Sequence, residues 1–339
     1  MPVLSKTYRD RMSRQKILLI RFSSIGDIVL ITPVIRVFKK QLDAEVHLLV
    51  KASYQNVLAN NPYVDKIHTL HHNLWHTISQ LRKENFTLVV DLQKNLSSVL
   101  ISKGVCKNTL TYQKLNVEKW LTVRLKRSFM PKINHIVDRY FEAIRPVGVV
   151  DDGEGLDYFF SRNEREEAFR LVKEIQFIAL VLGATYTTKR IPKEKCTDII
   201  AKSSLPVVLL GGNDVLALSE ELQKKHPDKT LNFCGKTSLG VGAGILKLAS
   251  KVVTGDTGMM HIAAALKKEI VVLWGNTTPT FGMSPYYGKN VPDVSTNLEV
   301  EGLSCRPCSK LGFHHCPKSH FRCMNDLVIT VDDLMPQDC

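Results

Sequence analysis

Short apolar runs alternate with segments of helical pattern along most of the chain. In the first half KILLIRF, EVHLLV and TLVVDL are separated by longer mixed segments such as IVLITPVIRVFKKQL. In the second half FIALVL, PVVLLGG, KVVTGD and EIVVLWG follow the same rhythm, and helices are predicted at 162–175 and from Pro192, Asp214 and Thr257. Apolar strands that alternate with helices are typical of a parallel sheet with crossover helices. The pattern therefore predicts the α/β class.

The alternation weakens once, in the middle of the chain. After Asp91 the rhythm loosens, and residues 102–135 are predicted to form a surface lobe. A helix predicted at 133–144 ends before Pro146, and the glycine-bearing stretch VGVVDDGEGLD that follows is typical of a linker. A chain of 339 residues is long enough for two domains. We predict two Rossmann-like, doubly wound domains, residues 1–150 and 151–339, which face each other across a cleft.

The charge balance predicts an anionic partner. The chain has 46 Lys plus Arg against 33 Asp plus Glu, a formal net charge of +13. Nucleic acid, phospholipid headgroups and a phosphorylated glycolipid would all be attracted, and charge alone does not choose among them. Within residues 102–135 only Glu118 is acidic, whereas the basic residues are Lys103, Lys107, Lys114, Lys119, Arg124, Lys126, Arg127 and Lys132.

The cellular compartment is predicted from the N-terminus and the cysteines. The first 15 residues are polar and basic, and the apolar run that follows them, Ile17–Ile20, is too short for the core of a signal peptide. No apolar stretch approaches the roughly 18 residues that would cross a bilayer. Cys106, Cys196, Cys234 and Cys339 are scattered, which is a poor disulfide framework at this length. We therefore expect a protein of the reducing cytoplasm.

The first candidate site is the segment Ser23-Ser24-Ile25-Gly26-Asp27, between the first strand and a helix. In open α/β sheets ligands bind at the carboxyl ends of the strands, so Asp27 would face the cleft there. One interpretation is a general base that removes a proton from an acceptor hydroxyl. The alternative is that Asp27 is only the N-cap of its helix, and the residue by itself favours this interpretation at least as strongly.

A second candidate site is GATYTTKRIP, residues 183–192, which follows the strand FIALVL. Its small residues, its hydroxyls and the cations Lys189 and Arg190 suit a diphosphate, although the spacing of a Walker A motif is absent. An ordinary polar loop is the alternative. A third site, TGDTGMMH at 254–261, again joins a strand to a helix, and its backbone N–H groups are suited to an anion. There Asp256 is either a ligand-binding residue or only a helix cap, and His261 either a site residue or a helix-face residue.

The fourth candidate is a cysteine cluster, with His314, His315 and His320 interleaved. The spacing C-x2-C, then seven residues, then C-x6-C lacks the second C-x2-C of a ribbon-type zinc site. A structural zinc, buried reduced thiols and an oxidation-prone pair remain open. The four residues are Cys305, Cys308, Cys316 and Cys323.

In order along the chain, KILLIRFSSIGDIVLITPVI, VLGATYTTKRIP, VVTGDTGMMHIAAAL and VVLWGNTTPTFGMSPYYG resemble glycosyltransferase family 9, the ADP-heptose:lipopolysaccharide heptosyltransferases. The resemblance covers most of the chain. It implies the GT-B fold, an acceptor-binding N-terminal domain and a C-terminal domain that binds the nucleotide-sugar. In this chain the predicted C-terminal domain also carries the cysteine-rich segment, which the best-known heptosyltransferases lack. It also implies transfer of heptose or a related sugar, with inversion, from an ADP-sugar to a lipopolysaccharide inner-core or other anionic lipid-linked saccharide.

The same resemblance implies roles for single residues and partners. Asp27 would be the catalytic base, and no metal is required at the reacting centre. We expect an enzyme peripheral to the cytoplasmic face of the inner membrane, with no nucleic-acid partner. The resemblance also implies donor binding by Thr185, Lys189, Asp256, Thr257, Gly258 and His261. Apart from the resemblance, we expect acceptor binding by Ser24, Gly26, Lys126 and Arg127.

Other functions fit parts of the pattern. A different GT-B transferase or a nucleotide-sugar epimerase would share the fold but use another donor or need no acceptor. A non-catalytic nucleic-acid-binding protein would explain the charge, yet aromatic residues are only 7% and no RRM, zinc-finger or helix-turn-helix motif is present. A dinucleotide-dependent dehydrogenase would need G-x-G-x-x-G after the first strand, which is missing.

Overall fold

The computed structural model describes residues 15–131 and 135–336, and the chain divides into two compact units. The first unit comprises the described residues up to Lys114 together with Val137–Asp152. The second comprises Leu115–Ile136 together with the described residues from Gly153 onward. The domain boundary near residue 150 stays a prediction. The basic N-terminal stretch, Lys132 and Cys339 lie outside the described residues.

The elements alternate along the chain as the sequence pattern predicts. The strands are β1 (Lys16–Ile20), β2 (Glu45–Val50), β3 (Lys66–Thr69), β4 (Leu88–Asp91), β5 (Thr109–Thr111), β6 (Ile178–Val181), β7 (Val207–Leu210), β8 (Thr230–Asn232), β9 (Lys251–Gly255), β10 (Ile270–Trp274) and β11 (Ser295–Glu299). The helices are α1 (Ile25–Val29), α2 (Thr32–Leu42), α3 (Leu74–Arg82), α4 (Leu96–Val105), α5 (Asn116–Leu125), α6 (Ile136–Ile144), α7 (Arg162–Val172), α8 (Lys193–Lys202), α9 (Leu216–Lys225), α10 (Leu239–Leu248), α11 (Gly258–Ala265), α12 (Arg322–Asn325) and α13 (Val331–Leu334).

A five-stranded parallel sheet forms the first unit, in the order β3-β2-β1-β4-β5. Its central strand β1 is buried on both faces, which explains why KILLI is a continuous apolar run. Ile17 pairs with Val46 of β2 on one side and with Leu88 of β4 on the other. Strand order reverses beside β1, and ligands bind outside the carboxyl ends of strands at such a reversal. The connection from β1 to α1 lies there.

A six-stranded parallel sheet forms the second unit, in the order β11-β10-β9-β6-β7-β8. Here the order reverses between β6 and β9, so the loops that follow these two strands share the favoured position for a ligand. The core on one side of the sheet includes Ile178, Val207 and Val253, and the end of the chain completes it with Met324 and Leu327. The predicted α/β class is confirmed in both units.

Several short elements differ from the sequence prediction. IVLITPVIRVFKKQL is not one helix: α1 ends at Val29, and α2 begins at Thr32 because Pro33 favours the first turn of a helix. The helix α10 went unpredicted because its sequence, LGVGAGILKL, contains three glycines, which are poor helix formers. A Cβ on Gly244 would lie 2.7 Å from the Cβ of Ala168, so this glycine allows close packing of α10 against α7. The strands β3, β5, β8 and β11 were also missed.

Candidate active site

In the first unit the β1–α1 connection surrounds Asp27 with hydrogen-bond donors. Ser24 is the N-cap of α1, and its backbone N–H and its hydroxyl donate to Asp27 Oδ2 at 3.1 and 2.9 Å. Asp27 is therefore the third residue of the helix, where it completes a capping box, and the prediction that it is the cap itself is wrong. Ser24 is exposed and Gly26 is buried.

Arg21 holds the other oxygen of Asp27. Its guanidinium forms an ion pair with Asp27 Oδ1 and also donates to the carbonyl of Leu92. Burial raises the pKa of Asp27, but the charge of Arg21 and the hydrogen bonds from Ser24 outweigh it, so this pKa lies below its ordinary value. The side chain of Asp27 is 20% exposed, so an ionised carboxylate remains partly accessible.

Lys126 and Arg127 lie in the second unit, at the end of α5. The ammonium of Lys126 donates to the carbonyls of Cys305 and Pro307, at 3.2 and 2.7 Å. Arg127 lies over the ring of Phe129, 4.9 Å from its centroid. The structure therefore places these two cations beside the cysteine-rich segment of their own unit and does not bring them together with Asp27 within one unit.

In the second unit the loops after β6 and β9 meet. Lys189 ends a 3-10 turn in the first loop, and its ammonium lies 2.6 Å from Asp256 Oδ2 in the second. A Cβ on Gly255 would lie only 2.3 Å from the carbonyl oxygen of Lys189, so glycine is required for this close approach. Thr185 is exposed in the same first loop. Two of the sequence-predicted motifs thus converge on one place.

The helix α11 begins directly after this ion pair. Thr257 is its N-cap and accepts from the N–H of Met260 at 3.3 Å, while Gly258 is the first helical residue. Asp256 is therefore not the cap, which corrects that alternative. His261 lies in the first turns of the helix and is buried. The first N–H groups of a helix have no acceptor within it, so the start of α11 is suited to an anion.

Sequence reasoning missed Thr277, which follows β10. Its hydroxyl donates to Asp256 Oδ2 at 2.9 Å, so the Asp256 carboxylate is held by a hydroxyl and by an ammonium. The neighbouring Asn276 is buried, and neither atom of its side-chain amide has a hydrogen-bond partner in the described residues. Thr277 lies at the carboxyl end of a strand adjacent to β9, and that position was the signal that could have identified it.

The guanidinium of Arg190 stabilises the loop after β6, to which Arg190 itself belongs. Its guanidinium donates to the carbonyl of Ala184 at 3.0 Å and pairs with Asp214 at 2.5 Å. Asp214 belongs to the short turn that precedes α9. Of the two neighbouring cations, Lys189 is the one directed to the Asp256 turn.

The segment Cys305-Arg306-Pro307-Cys308 forms hydrogen bonds with the backbone of the loop after β10. Arg306 donates to the carbonyls of Gly275 and Thr277, at 2.6 and 2.8 Å, and the N–H of Cys308 donates to the carbonyl of Asn276 at 3.0 Å. This segment therefore fixes the backbone on which Thr277 is carried.

The thiols of the cysteine cluster are free. Burial raises the pKa of Cys308 to about 11 and that of Cys323 to about 12, so these thiols are protonated near neutral pH. Cys305 Sγ lies 3.8 Å from His320 Nε2. In the described part of the chain, three or more metal-ligating atoms lie within 4.8 Å of one another only at His47, His68 and Glu84. The structural zinc at the cysteines stays a prediction.

None of the helices in the described ranges is long and apolar enough to cross a bilayer.

Comparison with known proteins gives a family and a fold. The sequence model of the family described as glycosyltransferase family 9 (heptosyltransferase) matches residues 74–310. A lipopolysaccharide heptosyltransferase 1 of Campylobacter coli is 25% identical over 306 residues, which cover 78% of this chain and 85% of that protein.

Solved structures show the same architecture. A glycosyltransferase of family 9 from Veillonella parvula superposes with a TM-score of 0.70 at 20% identity, covering 85% of this chain and 88% of that one. The Escherichia coli heptosyltransferase WaaC with ADP-2-deoxy-2-fluoro heptose gives a TM-score of 0.64 at 18% identity, covering 87% and 96%. The predicted GT-B fold is confirmed.

Proposed function

The chain belongs to glycosyltransferase family 9 (heptosyltransferase), and from that membership we propose that it transfers heptose, or a related sugar, from an ADP-sugar donor. The acceptor is a lipopolysaccharide inner-core or other lipid-linked saccharide, and the anomeric centre is inverted. That the chain is a glycosyltransferase follows from the family itself. The donor, the acceptor and the stereochemistry are the proposed part.

The observation that carries the proposal is the ion pair of Lys189 with Asp256 in front of α11. A cation, a carboxylate and the start of a helix are combined at the strand reversal of the second sheet. Lys189 and the first N–H groups of α11 bind the diphosphate. Both contacts of Asp256 use Oδ2, so Oδ1 accepts a hydrogen bond from a hydroxyl of the donor. A bound ADP-heptose analogue in the WaaC structure supports this choice of donor.

The chemical step is a single displacement. An acceptor hydroxyl oxygen attacks the anomeric carbon, and the bond from that carbon to the diphosphate oxygen breaks. The hydroxyl proton passes to the carboxylate of Asp27, which Arg21 keeps ionised. The electron pair leaves with ADP, and the positive charge of Lys189 stabilises the charge that develops on the leaving phosphate. We propose no metal ion in this step.

The acceptor is expected at an anionic membrane surface, and α5 has the side chains for such a contact. Val117, Trp120 and Leu125 are exposed large apolar residues, with Trp120 61% exposed. Arg124 and Lys126 lie in the last turn and at the C-cap of the same helix. An apolar face bordered by cations suits the boundary between headgroups and acyl chains. We propose that the enzyme acts in the cytoplasm, peripheral to the inner membrane.

A nucleotide panel tests the donor assignment. ADP should raise the melting temperature more than UDP or GDP at equal concentration, because a ligand stabilises the folded state by RT ln(1 + [L]/Kd). Transfer from ADP-heptose to a lipid A–inner-core acceptor, followed by mass spectrometry, then tests the reaction. A stronger shift with UDP, or donor turnover without an acceptor, would replace the proposal by another transferase or by an epimerase.

The variant Asp27→Asn tests the catalytic base in the same assay. Transfer should fall by about 100-fold or more, because general-base catalysis contributes about 10²–10⁴ in rate. The ADP-induced shift should be unchanged, since Lys189 and Asp256 are intact. Asp43→Asn is the matched control: Asp43 is exposed at the left-handed C-cap of α2, a conformation that Asn accepts. Near wild-type turnover of Asp27→Asn would refute the assignment.

A further inference from the structure

A cluster of potential metal ligands lies in the first unit, beside β2 and β3 and outside the β1–α1 connection that carries Asp27. His47 Nδ1 and His68 Nε2 are 2.9 Å apart. One ring nitrogen of each histidine and a carboxylate oxygen of Glu84 all lie within 4.8 Å of one another. His47 belongs to β2 and pairs in register with Lys66 of β3. His68 follows two residues later, so both imidazoles lie on the same face of the sheet.

One member of the cluster, His47, is buried, whereas His68 and Glu84 are half-buried. His47 is 1% exposed, and the ring of Phe86 meets the rings of His47 and His68 edge-on, with centroids 5.2 and 6.2 Å away.

A carboxylate outside the cluster orients His47. Glu45 Oε1 lies 2.8 Å from His47 Nε2, so this nitrogen carries the proton and donates it to Glu45. The lone pair of His47 Nδ1 then points toward His68. A carboxylate on the far nitrogen of a metal-binding histidine fixes the tautomer and raises the basicity of the ligand. This partner is already present.

The spacing of the two nitrogens is close to that required by one ion. At Zn–N distances of about 2.0–2.1 Å, two tetrahedral nitrogen ligands lie about 3.3 Å apart. The observed 2.9 Å needs a widening of only a few tenths of an ångström. The distance between the two nitrogens is that of a hydrogen bond, and a metal ion would replace the proton of that bond.

Two lysines compete for Glu84. Lys16 lies 3.3 Å from its Oε2 and Lys66 lies 2.5 Å from its Oε1. The side chain of Lys66 is 54% exposed, so it is able to turn into solvent when a divalent cation takes its place. Lys16 remains balanced by Glu45, 3.0 Å away.

We propose that His47, His68 and Glu84 bind a divalent transition-metal ion of the zinc type, with Glu45 as the orienting residue and water in the open position. Two imidazoles and one carboxylate suit Zn²⁺, Co²⁺ or Ni²⁺ rather than Mg²⁺ or Ca²⁺. The ion would join β2, β3 and the connection from α3 to β4. It lies away from the proposed transfer chemistry, so the inference does not depend on the proposed function.

Titration of the chelator-treated full-length protein with Zn²⁺ by calorimetry tests the site. His68→Gln should lose one zinc equivalent or weaken its Kd by about 100-fold, and Glu45→Gln should weaken the Kd by about tenfold. His76→Gln is the matched control, because His76 is exposed in the same unit and lies against another imidazole, that of His71. It should bind zinc like the wild type.

Two further measurements separate this site from the cysteines and from a folding defect. Co²⁺ bound here should lack the intense sulfur-to-metal charge-transfer band that thiolate ligands produce. Lys66→Gln removes the competing cation at an exposed position and should tighten binding. Unchanged stoichiometry and Kd in folded His68→Gln would overturn the proposal, as would equal loss in His76→Gln. If His68→Gln does not fold, a Kd for Lys66→Gln that is not tighter than that of the wild type decides against the site.

Discussion

The ionised state of Asp27 depends on its neighbours. The ion pair with Arg21 and the hydrogen bonds from Ser24 keep the carboxylate charged, which is the form that accepts a proton from the acceptor hydroxyl. A lowered pKa makes the carboxylate a weaker base, so positioning rather than basicity must supply most of its effect.

The same ion pair predicts a pH-dependent stability. The pKa of Asp27 is lower in the folded protein than its ordinary value of 3.8, so its contribution is complete above that value and is lost as pH falls through the folded pKa. Urea unfolding should show Asp27→Asn to be less stable than wild type by about 2 kcal/mol at pH 7, the size of a hydrogen bond to a charged group. The difference should shrink as the pH falls below 4. A difference independent of pH, or an equal one in Asp43→Asn, would contradict this account.

The contribution of Lys189 to ADP binding is testable by a single substitution. Lys189→Gln removes the cation beside Asp256, and we expect the Kd for ADP to rise by about 10- to 100-fold, which corresponds to a charge-assisted contact of about 1.5–3 kcal/mol. Fluorescence or calorimetric titration measures it. Lys193→Gln is the control, because Lys193 is paired with Glu221 and not with the Asp256 turn. Equal ADP binding by both variants would remove Lys189 from the donor site.

The sequence predicted some of the contacts at the candidate site and not others. Lys189 and Asp256 lie in the loops that follow β6 and β9, so their meeting followed from the strand pattern once these two strands became neighbours. Arg21 and Thr277 also follow strands, so their place at the carboxyl edge of a sheet was predictable, but their contacts with Asp27 and Asp256 were not. Their contacts depend on side-chain direction across a loop, and residue spacing contains no information about that.

Among the elements, the meeting of the loops after β6 and β9 is the most sensitive to change. Gly255→Ala would place a methyl group 2.3 Å from the carbonyl oxygen of Lys189, and one of the two loops must move. We expect a loss of about 2 kcal/mol in unfolding free energy and weaker ADP binding, both measurable by thermal shift with and without ADP.

Gly242→Ala is the control for this change. Its added Cβ would make ordinary contact with Met259 at 3.5 Å, inside α10, where alanine is a better helix former than glycine. This variant should be as stable as the wild type or slightly more so. A stable Gly255→Ala protein with unchanged ADP affinity would show that the two loops are not held as closely as the structure indicates.

The strands with apolar sequences were predictable, whereas the more polar ones were not. β1, β6, β7 and β10 consist mainly of apolar residues, because both of their faces are covered. The missed strands have similar lengths, but their partly exposed positions carry polar side chains, as in STNLE of β11. Their pairing is determined by the neighbouring strand rather than by their own sequence.

For the whole molecule, the net charge of +13 predicts salt-dependent binding of an anionic acceptor. Raising the salt from 0.05 to 0.5 M should weaken binding of a phosphorylated lipid-linked saccharide by about tenfold, because exposed charges are screened over a Debye length of only a few ångströms at the higher value. Sedimentation with acceptor-bearing vesicles measures this. Vesicles with a phosphate-free acceptor and neutral lipid are the control, and an equal salt response in both would contradict an electrostatic origin.

The residues after 310 help to form the core of the second unit, although the family match does not include them. The match to the family ends at residue 310, yet Met324, Leu327, Ile329 and Leu334 are buried in the second core. A shortened gene product that stops near that point would uncover the side of α8 and of β10 against which α12 and α13 pack, and leave an unfilled volume. Shortening this tail in evolution or by protein engineering would therefore require larger side chains elsewhere in the unit to take up the lost space.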